Sequence, residues 1–390
     1  MDFTQSPTIE TTRSEFRRWL KDHLPDRREW NAVKEVGPTR ERIDFLKAWQ
    51  RRLYDSGWIA VHWPREYGGR DGSLLDHLAV QQELVRTEAP PLINGPSLSI
   101  FGPTLLVFGT PEQKKRYLPK LLSAEEIWCL GFSEPNAGSD LASLRTRAVR
   151  DGDSWSITGQ KVWTTYANQA DYGLFLVRTD PDAPAHKGIS CLIVPLRTDG
   201  ITVRPLREMT GENDFNEVFL DNARIPAGSV VGEVNKGWQV IMTALGHERG
   251  TLLLVDHVRR RGDLERLREN IVRQRKVDEP MCRQKFAQFW IEVEIMRLHG
   301  VKVMSDLQHQ RPQSDVSILK LFGSEMAQRL EDFALEMQGA YGQLWNGSAR
   351  LIDDGHWQHG WMLARALTIA SGTSEVQRNI IAQRLLGLPR

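Results

Sequence analysis

The chain contains 390 residues, and its 51 lysines and arginines are balanced by 50 aspartates and glutamates. This balance argues against a nucleic-acid-binding or membrane-surface protein, because such proteins carry a local excess of basic residues. The three cysteines, Cys129, Cys191 and Cys282, are far apart in sequence and have neither metal-binding spacing nor the pattern of a disulfide framework. A reducing compartment and no metal site are therefore predicted.

The first residues, Met1-Asp2-Phe3-Thr4, lack the basic and apolar regions of a signal peptide. No uninterrupted apolar run approaches the ~20 residues that span a bilayer. A cytoplasmic protein without a membrane partner is therefore expected.

Residues 1–128 are predicted to form a helical domain. Thr12 and Glu15 have the spacing of a capping box, and the apolar residues from Phe16 to Leu24 are spaced for one helix face. Thr110-Pro111-Glu112-Gln113 is a stronger helix start, because threonine caps, proline suits the first turn and glutamine reaches back. Residues 57–64 are predicted to form a loop anchored by aromatic side chains.

Short β-like runs replace the helical pattern in residues 129–235. Asp151-Gly152 and Asp199-Gly200 are typical of hairpin turns, so we predict a small antiparallel β domain. Helical patterns resume in residues 236–390 and stop at Gly387-Leu388-Pro389. The order of helices, strands and helices predicts an α+β fold that is mainly α.

Three polar segments are candidates for chemistry. Residues 131–140 (Gly-Phe-Ser-Glu-Pro-Asn-Ala-Gly-Ser-Asp) form a loop rich in amides and hydroxyls, which suits a polar ring or phosphates. In residues 159–165 (Gly-Gln-Lys-Val-Trp-Thr-Thr), strand alternation would put Trp163 and Thr165 on one face, where an indole stacks and a hydroxyl bonds to a flat heterocycle. Residues 369–379 (Ile-Ala-Ser-Gly-Thr-Ser-Glu-Val-Gln-Arg-Asn) start a helix. Each segment alone is better explained by ordinary structure.

Together, in this order and at these distances, the three segments resemble the acyl-CoA dehydrogenase family. Trp-Pro-x-x-Tyr-Gly-Gly from Trp63 and the run from Phe215 to Pro226 extend the resemblance to essentially the whole chain. The family implies an N-terminal helical domain, a central β domain and a C-terminal four-helix bundle, with FAD between the last two. It also implies tetramers, in which a neighbouring subunit touches the flavin dinucleotide, and an electron-transferring flavoprotein as acceptor.

The resemblance also implies individual site residues. Those implied to bind the cofactor are Leu130, Phe132, Ser133, Trp163, Thr165, Arg273, Gln338 and Thr373. Ser139 and Arg249 are implied to contact the acyl-CoA substrate.

One departure from the family concerns the catalytic base. Many members carry a glutamate immediately before Gly-Thr in the C-terminal signature, where this chain has Ser371. Either the chain is catalytically inactive, or the base lies elsewhere. The isovaleryl-CoA and long-chain members have a small residue here and a glutamate directly before an arginine in a bundle helix. Glu248 and Arg249 match that exchange, so Glu248 is predicted to be the base and a branched or bulky acyl-CoA is favoured.

Two further departures concern the FAD pyrophosphate. The family's Arg-x-x-Phe-Gly falls at residues 273–277, which lack phenylalanine and glycine, and its Gln-x-x-Gly-Gly has Tyr341 at the first of the two glycines. A bulky side chain there would hinder close backbone approach to a phosphate. Some bacterial members form heterotetramers, so homotetramer and heterotetramer both stay open, and the alternative function is a catalytically incomplete partner subunit.

Overall fold

The structure of the protein is a computed structural model that describes residues 7–34, 39–309, 316–345 and 347–389. The side chains of residues 7, 244–253, 307 and 308 also lie outside the description. The chain divides into two compact units. One contains Thr11–Val80 and Ala89–Glu248, with the β domain, and the other consists mainly of the bundle from residue 249 onward, together with Gln81–Glu88.

The described helices fall before and after the sheet. Those before it are α1 Pro7–His23, α2 Arg27–Lys34, α3 Arg40–Asp55, α4 Leu74–Arg86, α5 Gly95–Ser99, α6 Phe101–Phe108 and α7 Pro111–Leu122. Those after it are α8 Gly237–Arg273, α9 Pro280–Gln308, α10 Ser317–Gln338, α11 His356–Leu367 and α12 Ser374–Ile380, which continues as a π-helical turn over Ile381–Leu385. The strands are β1 Trp128–Gly131, β2 Arg147–Asp151, β3 Ser154–Lys161, β4 Tyr172–Arg178, β5 Ile189–Pro195, β6 Ile201–Pro205, β7 Asn216–Pro226 and β8 Val230–Val231.

The strands form one sheet with the order β6-β7-β3-β2-β4-β5-β8, and β1 pairs with β4. Antiparallel pairing dominates, as predicted, although β1–β4 and β2–β4 are parallel. Asp151-Gly152 lies at the turn between the paired strands β2 and β3, with φ +56° at Gly152. The second hairpin prediction was wrong: Gly200 has φ +85° in a turn, but β6 pairs with β7 and not with β5. A turn signal shows that the chain reverses, but it does not show which strands pair.

The two predicted capping boxes have different outcomes. The capping box at Thr110 is confirmed, because its Oγ1 accepts the Gln113 N–H at 3.2 Å and Gln113 Oε1 accepts the Thr110 N–H at 3.1 Å. The capping box at Thr12 was wrong, since α1 begins at Pro7 and Thr12 lies inside it. Thr12 Oγ1 instead donates to Asp76 Oδ1 at 2.7 Å, so its hydroxyl serves a tertiary contact that local spacing does not reveal.

Residues 57–64 form the predicted loop with aromatic anchors. Trp58 and Trp63 are buried in the core. A Cβ at Gly102 would lie 2.0 Å from the Trp63 ring, so only glycine leaves room for this indole. The loop is therefore fixed by packing rather than by regular secondary structure.

A buried charge cluster lies in the C-terminal bundle. The guanidinium of Arg260 lies 3.1 Å from Asp263 Oδ2, 3.3 Å from Glu331 Oε1 and 3.7 Å from Asp256 Oδ2. Burial would raise the pKa of Asp263, but a hydrogen bond with His356 and the charge of Arg260 hold it below the usual value. Burial, followed by the charge of Asp263, raises the pKa of Glu331 to about 8. One cation thus faces three carboxyl groups, and Glu331 is the one that keeps its proton.

Glu331→Gln is expected to make the protein more stable than the wild type at alkaline pH. The folded-state pKa of Glu331 lies above the unfolded value of 4.5, so the folded state binds more protons between these values and stability falls as pH rises through them. The loss is at most about 1.4 kcal/mol per pH unit, and glutamine cannot undergo it. Melting temperatures of both proteins from pH 5 to 9 test this. Glu336→Gln, which removes an exposed carboxylate paired with Lys285, is the control, and parallel curves for Glu331→Gln and wild type would contradict the prediction.

Candidate active site

The end of β1 is tied to the end of β3. The Phe132 carbonyl accepts a hydrogen bond from Lys161 Nζ at 3.0 Å, and the Ser133 carbonyl accepts one from the Val162 N–H at 3.0 Å. The side chains of Leu130, in β1, and of Phe132 and Ser133, just after it, are half-buried. The structure therefore brings three of the sequence-predicted cofactor residues together on a segment whose carbonyls are already bonded.

Lys161 and Glu134 form a buried ion pair beneath this segment. Lys161 is 0% exposed and its Nζ lies 2.8 Å from Glu134 Oε1. The Glu134 carboxylate also accepts the N–H groups of Arg145 at 2.7 Å and Thr146 at 2.8 Å. Burial lowers the pKa of Lys161 to about 8 against the opposing effect of Glu134. Burial would raise the pKa of Glu134, but the Lys161 charge and these hydrogen bonds hold it below the usual value.

Trp163 and Thr165 follow β3 and do not lie within it. The prediction that they share one face of a strand was wrong, because β3 ends at Lys161 and Trp163 has φ +59°. Strand alternation applies only while the backbone stays extended, and the sequence gives no sign that a tryptophan takes a left-handed conformation. The Trp163 side chain is 61% exposed, with Phe215 packed edge-on at 6.0 Å, and Thr165 is half-buried.

The turn that carries Trp163 rests on the start of β7. The Thr164 N–H donates to the Asn216 carbonyl at 3.0 Å, and the Tyr166 N–H donates to the Asp214 carbonyl at 2.8 Å. Asp214 also accepts the Tyr166 hydroxyl at 3.3 Å and Arg42 Nη2, from α3, at 3.5 Å. Sequence reasoning missed these supporting residues, although Phe215 begins a run that it had singled out.

An exposed indole beside two half-buried hydroxyls fits a flavin ring. A large apolar side chain held in a sparsely populated backbone conformation marks a surface that another group covers. The hydroxyls of Ser133 and Thr165 are the donor and acceptor types that the polar edge of a flavin needs. The chemistry of these side chains therefore fits FAD at the β domain.

In the bundle, the loop at residues 371–373 is rigidly held. Ser371 and Gly372 have φ +54° and +93°, and Thr373 Oγ1 caps α12 by accepting the Val376 N–H at 3.2 Å. The ammonium of Lys320 donates to the Gly372 carbonyl at 2.7 Å, and Gln377 Nε2 donates to the Ser371 carbonyl at 3.1 Å. Lys320 and Gln377 were not identified from the sequence. The loop presents an exposed serine where many members carry their base.

The segment at Gln338 has one glycine in a tight position and a tyrosine at the other. Gln338 ends α10, is buried, and accepts a hydrogen bond from Gln358 Nε2 at 3.0 Å. A Cβ at Gly342 would lie 2.8 Å from the Leu335 carbonyl oxygen, so glycine is needed there. Tyr341 is 48% exposed. That its side chain hinders the approach of a phosphate to this segment stays a prediction.

Arg273 is already bound to a carboxylate. It is the last residue of α8, and its Nη2 lies 2.8 Å from Asp353 Oδ1 and also bonds to Asn270. Burial would raise the pKa of Asp353, but hydrogen bonds from Asn270 and Arg273 keep it below the usual value. A phosphate that approached Arg273 would therefore meet a charged carboxylate.

Three predicted site residues remain, and the side chain of only one of them is described. Ser139 lies exposed in the loop after β1. Glu248 and Arg249 fall within α8, but their side chains lie outside the described residues. Their catalytic and substrate-binding roles stay predictions.

Within the described ranges, no helix combines the length and apolar character that crossing a bilayer requires.

Comparison with known proteins confirms the predicted family and fold. Family models for the acyl-CoA dehydrogenase N-terminal, middle and C-terminal domains match residues 6–125, 129–223 and 235–386. The chain is 40% identical over 396 residues to acyl-CoA dehydrogenase IpdE1 of Mycolicibacterium smegmatis, with 98% of each protein covered. A solved structure described as the Tcur3481-Tcur3483 steroid ACAD is 32% identical with a TM-score of 0.89, and the Mycobacterium tuberculosis ChsE4-ChsE5 complex is 32% identical with a TM-score of 0.87. In both, 100% of each chain is covered. The chain therefore belongs to the acyl-CoA dehydrogenase family, whose members are FAD-dependent oxidoreductases.

Proposed function

We propose that this chain catalyses the α,β-dehydrogenation of an acyl-CoA thioester to the 2-enoyl-CoA. The observation that carries the proposal is the exposed Trp163 indole, which lies on a turn fixed by hydrogen bonds and close in sequence to the bonded ends of β1 and β3. When bound there, FAD supplies the hydride acceptor that the reaction needs at C3 of the substrate.

The chain itself must supply a base for the α-proton. Ser371 has no group that serves as a comparable base, and it lies in a loop held by Lys320 and Gln377. Glu248 is the proposed base, because glutamate before arginine together with a small residue at the C-terminal signature is the paired arrangement of the isovaleryl-CoA and long-chain members. A carboxylate suits this task when an apolar acyl pocket raises its pKa.

A second candidate is a subunit that is incomplete alone and shares its sites with a different chain of the same family. The specific observation in its favour is the pairing of Arg273 with Asp353, which occupies the arginine that other members direct to the pyrophosphate.

Two of the related structures have names that join two components, and one of these names contains the word steroid. We therefore infer a heterotetramer as the assembly and a bulky, steroid-derived acyl-CoA as the substrate class. The cytoplasm and an electron-transferring flavoprotein acceptor remain part of the proposal.

The visible absorption spectrum before and after anaerobic addition of acyl-CoAs tests the proposal. The probes are straight-chain, branched and steroid side-chain thioesters, added to the chain purified alone and with a co-expressed family partner. Flavin peaks that bleach with a thioester support dehydrogenation, and the thioester that bleaches them fastest identifies the substrate class. A protein that binds no FAD in either preparation would refute the proposal.

A further inference from the structure

We propose that Lys161, through its contacts with Phe132 and Glu134, is a positioning residue for FAD. The inference rests on the proposed function and deepens it: the buried ammonium holds the segment from Phe132 to Glu134 in the shape that receives the flavin.

The contacts of Lys161 all converge on this one segment. Its Nζ donates to the Phe132 carbonyl at 3.0 Å and to Glu134 Oε1 at 2.8 Å. The same carboxylate accepts the N–H groups of Arg145 and Thr146, the two residues that precede β2. One cation and one carboxylate thus connect the end of β1, the approach to β2 and the end of β3.

Packing also fixes the residue just before the segment. Gly131 pairs with Phe175 of β4, and a Cβ at Gly131 would lie 2.6 Å from the Phe175 ring, so only glycine fits there. The segment thus starts from a strand end that is fixed by pairing and packing, and movement away from Lys161 would break the hydrogen bond to the Phe132 carbonyl.

Stability alone does not account for this ion pair. Replacing a buried ion pair by apolar side chains of similar size is often neutral or stabilising, whereas removing one partner leaves a buried unpaired charge. An apolar pair would fill the same space but would offer no donor to the Phe132 carbonyl. What the ammonium adds is the orientation of that carbonyl.

The double variant Lys161→Met/Glu134→Met separates positioning from folding, because it leaves no unpaired buried charge. The full-length chain is tested in the assembly that gives the wild type its highest flavin content. FAD affinity is measured by fluorescence titration of the apoprotein, together with its melting temperature and the absorption spectrum of bound flavin. We expect a cooperative melting transition at a lower temperature than in the wild type, because the Phe132 carbonyl and the N–H groups of Arg145 and Thr146 lose their partners. FAD binding is expected to be weaker by about tenfold, as for the loss of one charge-assisted contact, with a shifted flavin spectrum.

The matched control removes an exposed ion pair of the same sheet. Asp151 Oδ2 lies 2.6 Å from Arg224 Nη1, and both side chains are more than half exposed. Asp151→Leu/Arg224→Met is expected to keep wild-type FAD affinity and spectrum.

Two results would overturn the inference in different ways. A double variant that binds FAD with wild-type affinity and spectrum would overturn the positioning role alone. A wild-type chain that binds no FAD would overturn the proposed function and this inference with it. If the double variant does not fold, Glu134→Gln and Lys161→Gln are compared, since only the first keeps the Lys161 donor to the Phe132 carbonyl. Wild-type FAD affinity and spectrum in Glu134→Gln, with weaker binding and a shifted spectrum in Lys161→Gln, support positioning by Lys161, whereas equal affinity and spectra in the two variants contradict it.

Discussion

Replacing Glu248 by glutamine is expected to lower the turnover number by about 10²–10⁴-fold, the usual contribution of a general base, while FAD remains bound. Glutamine has nearly the same shape but accepts no proton from the α-carbon. The rate of flavin bleaching after anaerobic mixing with an acyl-CoA measures the step directly. The absorption of the oxidised flavin before mixing shows whether the cofactor site is intact.

Glu375→Gln is the matched control for this prediction. Glu375 is an exposed first-turn carboxylate of α12, in the same C-terminal signature as Ser371, and its pKa is held below the usual value by local hydrogen bonds. We expect its turnover to equal that of the wild type. Full turnover in Glu248→Gln would refute the assignment of the base.

Adding Ser371→Glu to Glu248→Gln is expected to restore part of the lost rate. The exchange moves the carboxylate to the position that many other members use. Recovery is expected to be partial, because Lys320 and Gln377 fix the loop around a serine, and a longer side chain placed there is not held in the productive geometry. Absence of any recovery, with Glu248→Gln inactive, would indicate that the two positions do not serve the same substrate carbon in this chain.

The family and the fold, including a β domain between helical segments, were predictable from the sequence because the family motifs are local and occur in a fixed order along the chain. The Thr110 capping box was predictable for the same reason, since its partners are three residues apart. The contact of Thr12 with Asp76 and the pairing of β6 with β7 were not predictable, because both are set by tertiary packing. The left-handed turn at Trp163 was missed because tryptophan carries no signal for that conformation.

The candidate site shows the same division. Motifs identified the candidate cofactor residues, but only the structure shows which residues they bond to. Lys161 donates to a carbonyl 29 residues away, and Arg273 donates to a carboxylate 80 residues away. The sequence identified the altered pyrophosphate motif but gave no reason for a carboxylate beside its arginine. The domain boundaries at residues 128 and 235 and the role of Glu248 stay predictions.

Co-expression with a second chain of the family is expected to raise the FAD content of the complex well above that of the chain purified alone. Arg273 is neutralised by Asp353, and Tyr341 stands where other members have a glycine, so two of the contacts that hold the pyrophosphate are altered here. A charge-assisted hydrogen bond to a phosphate contributes about 1.5–3 kcal/mol, so a partner that supplies one strengthens FAD binding about tenfold or more. Flavin absorbance per mole of chain, measured after identical gel filtration, gives the comparison.

Two single variants in the co-expressed complex show where the cofactor contacts lie. Arg273→Met is expected to leave the FAD content unchanged, because its guanidinium already binds Asp353, whereas Trp163→Ala is expected to lower it, because its exposed indole provides the stacking surface. A chain that purifies alone as a fully flavinated homotetramer and loses its FAD on Arg273→Met would contradict the heteromeric assembly. It would also mean that Arg273 leaves Asp353 for the pyrophosphate of a neighbouring copy, so the pair would be a resting contact that the cofactor displaces.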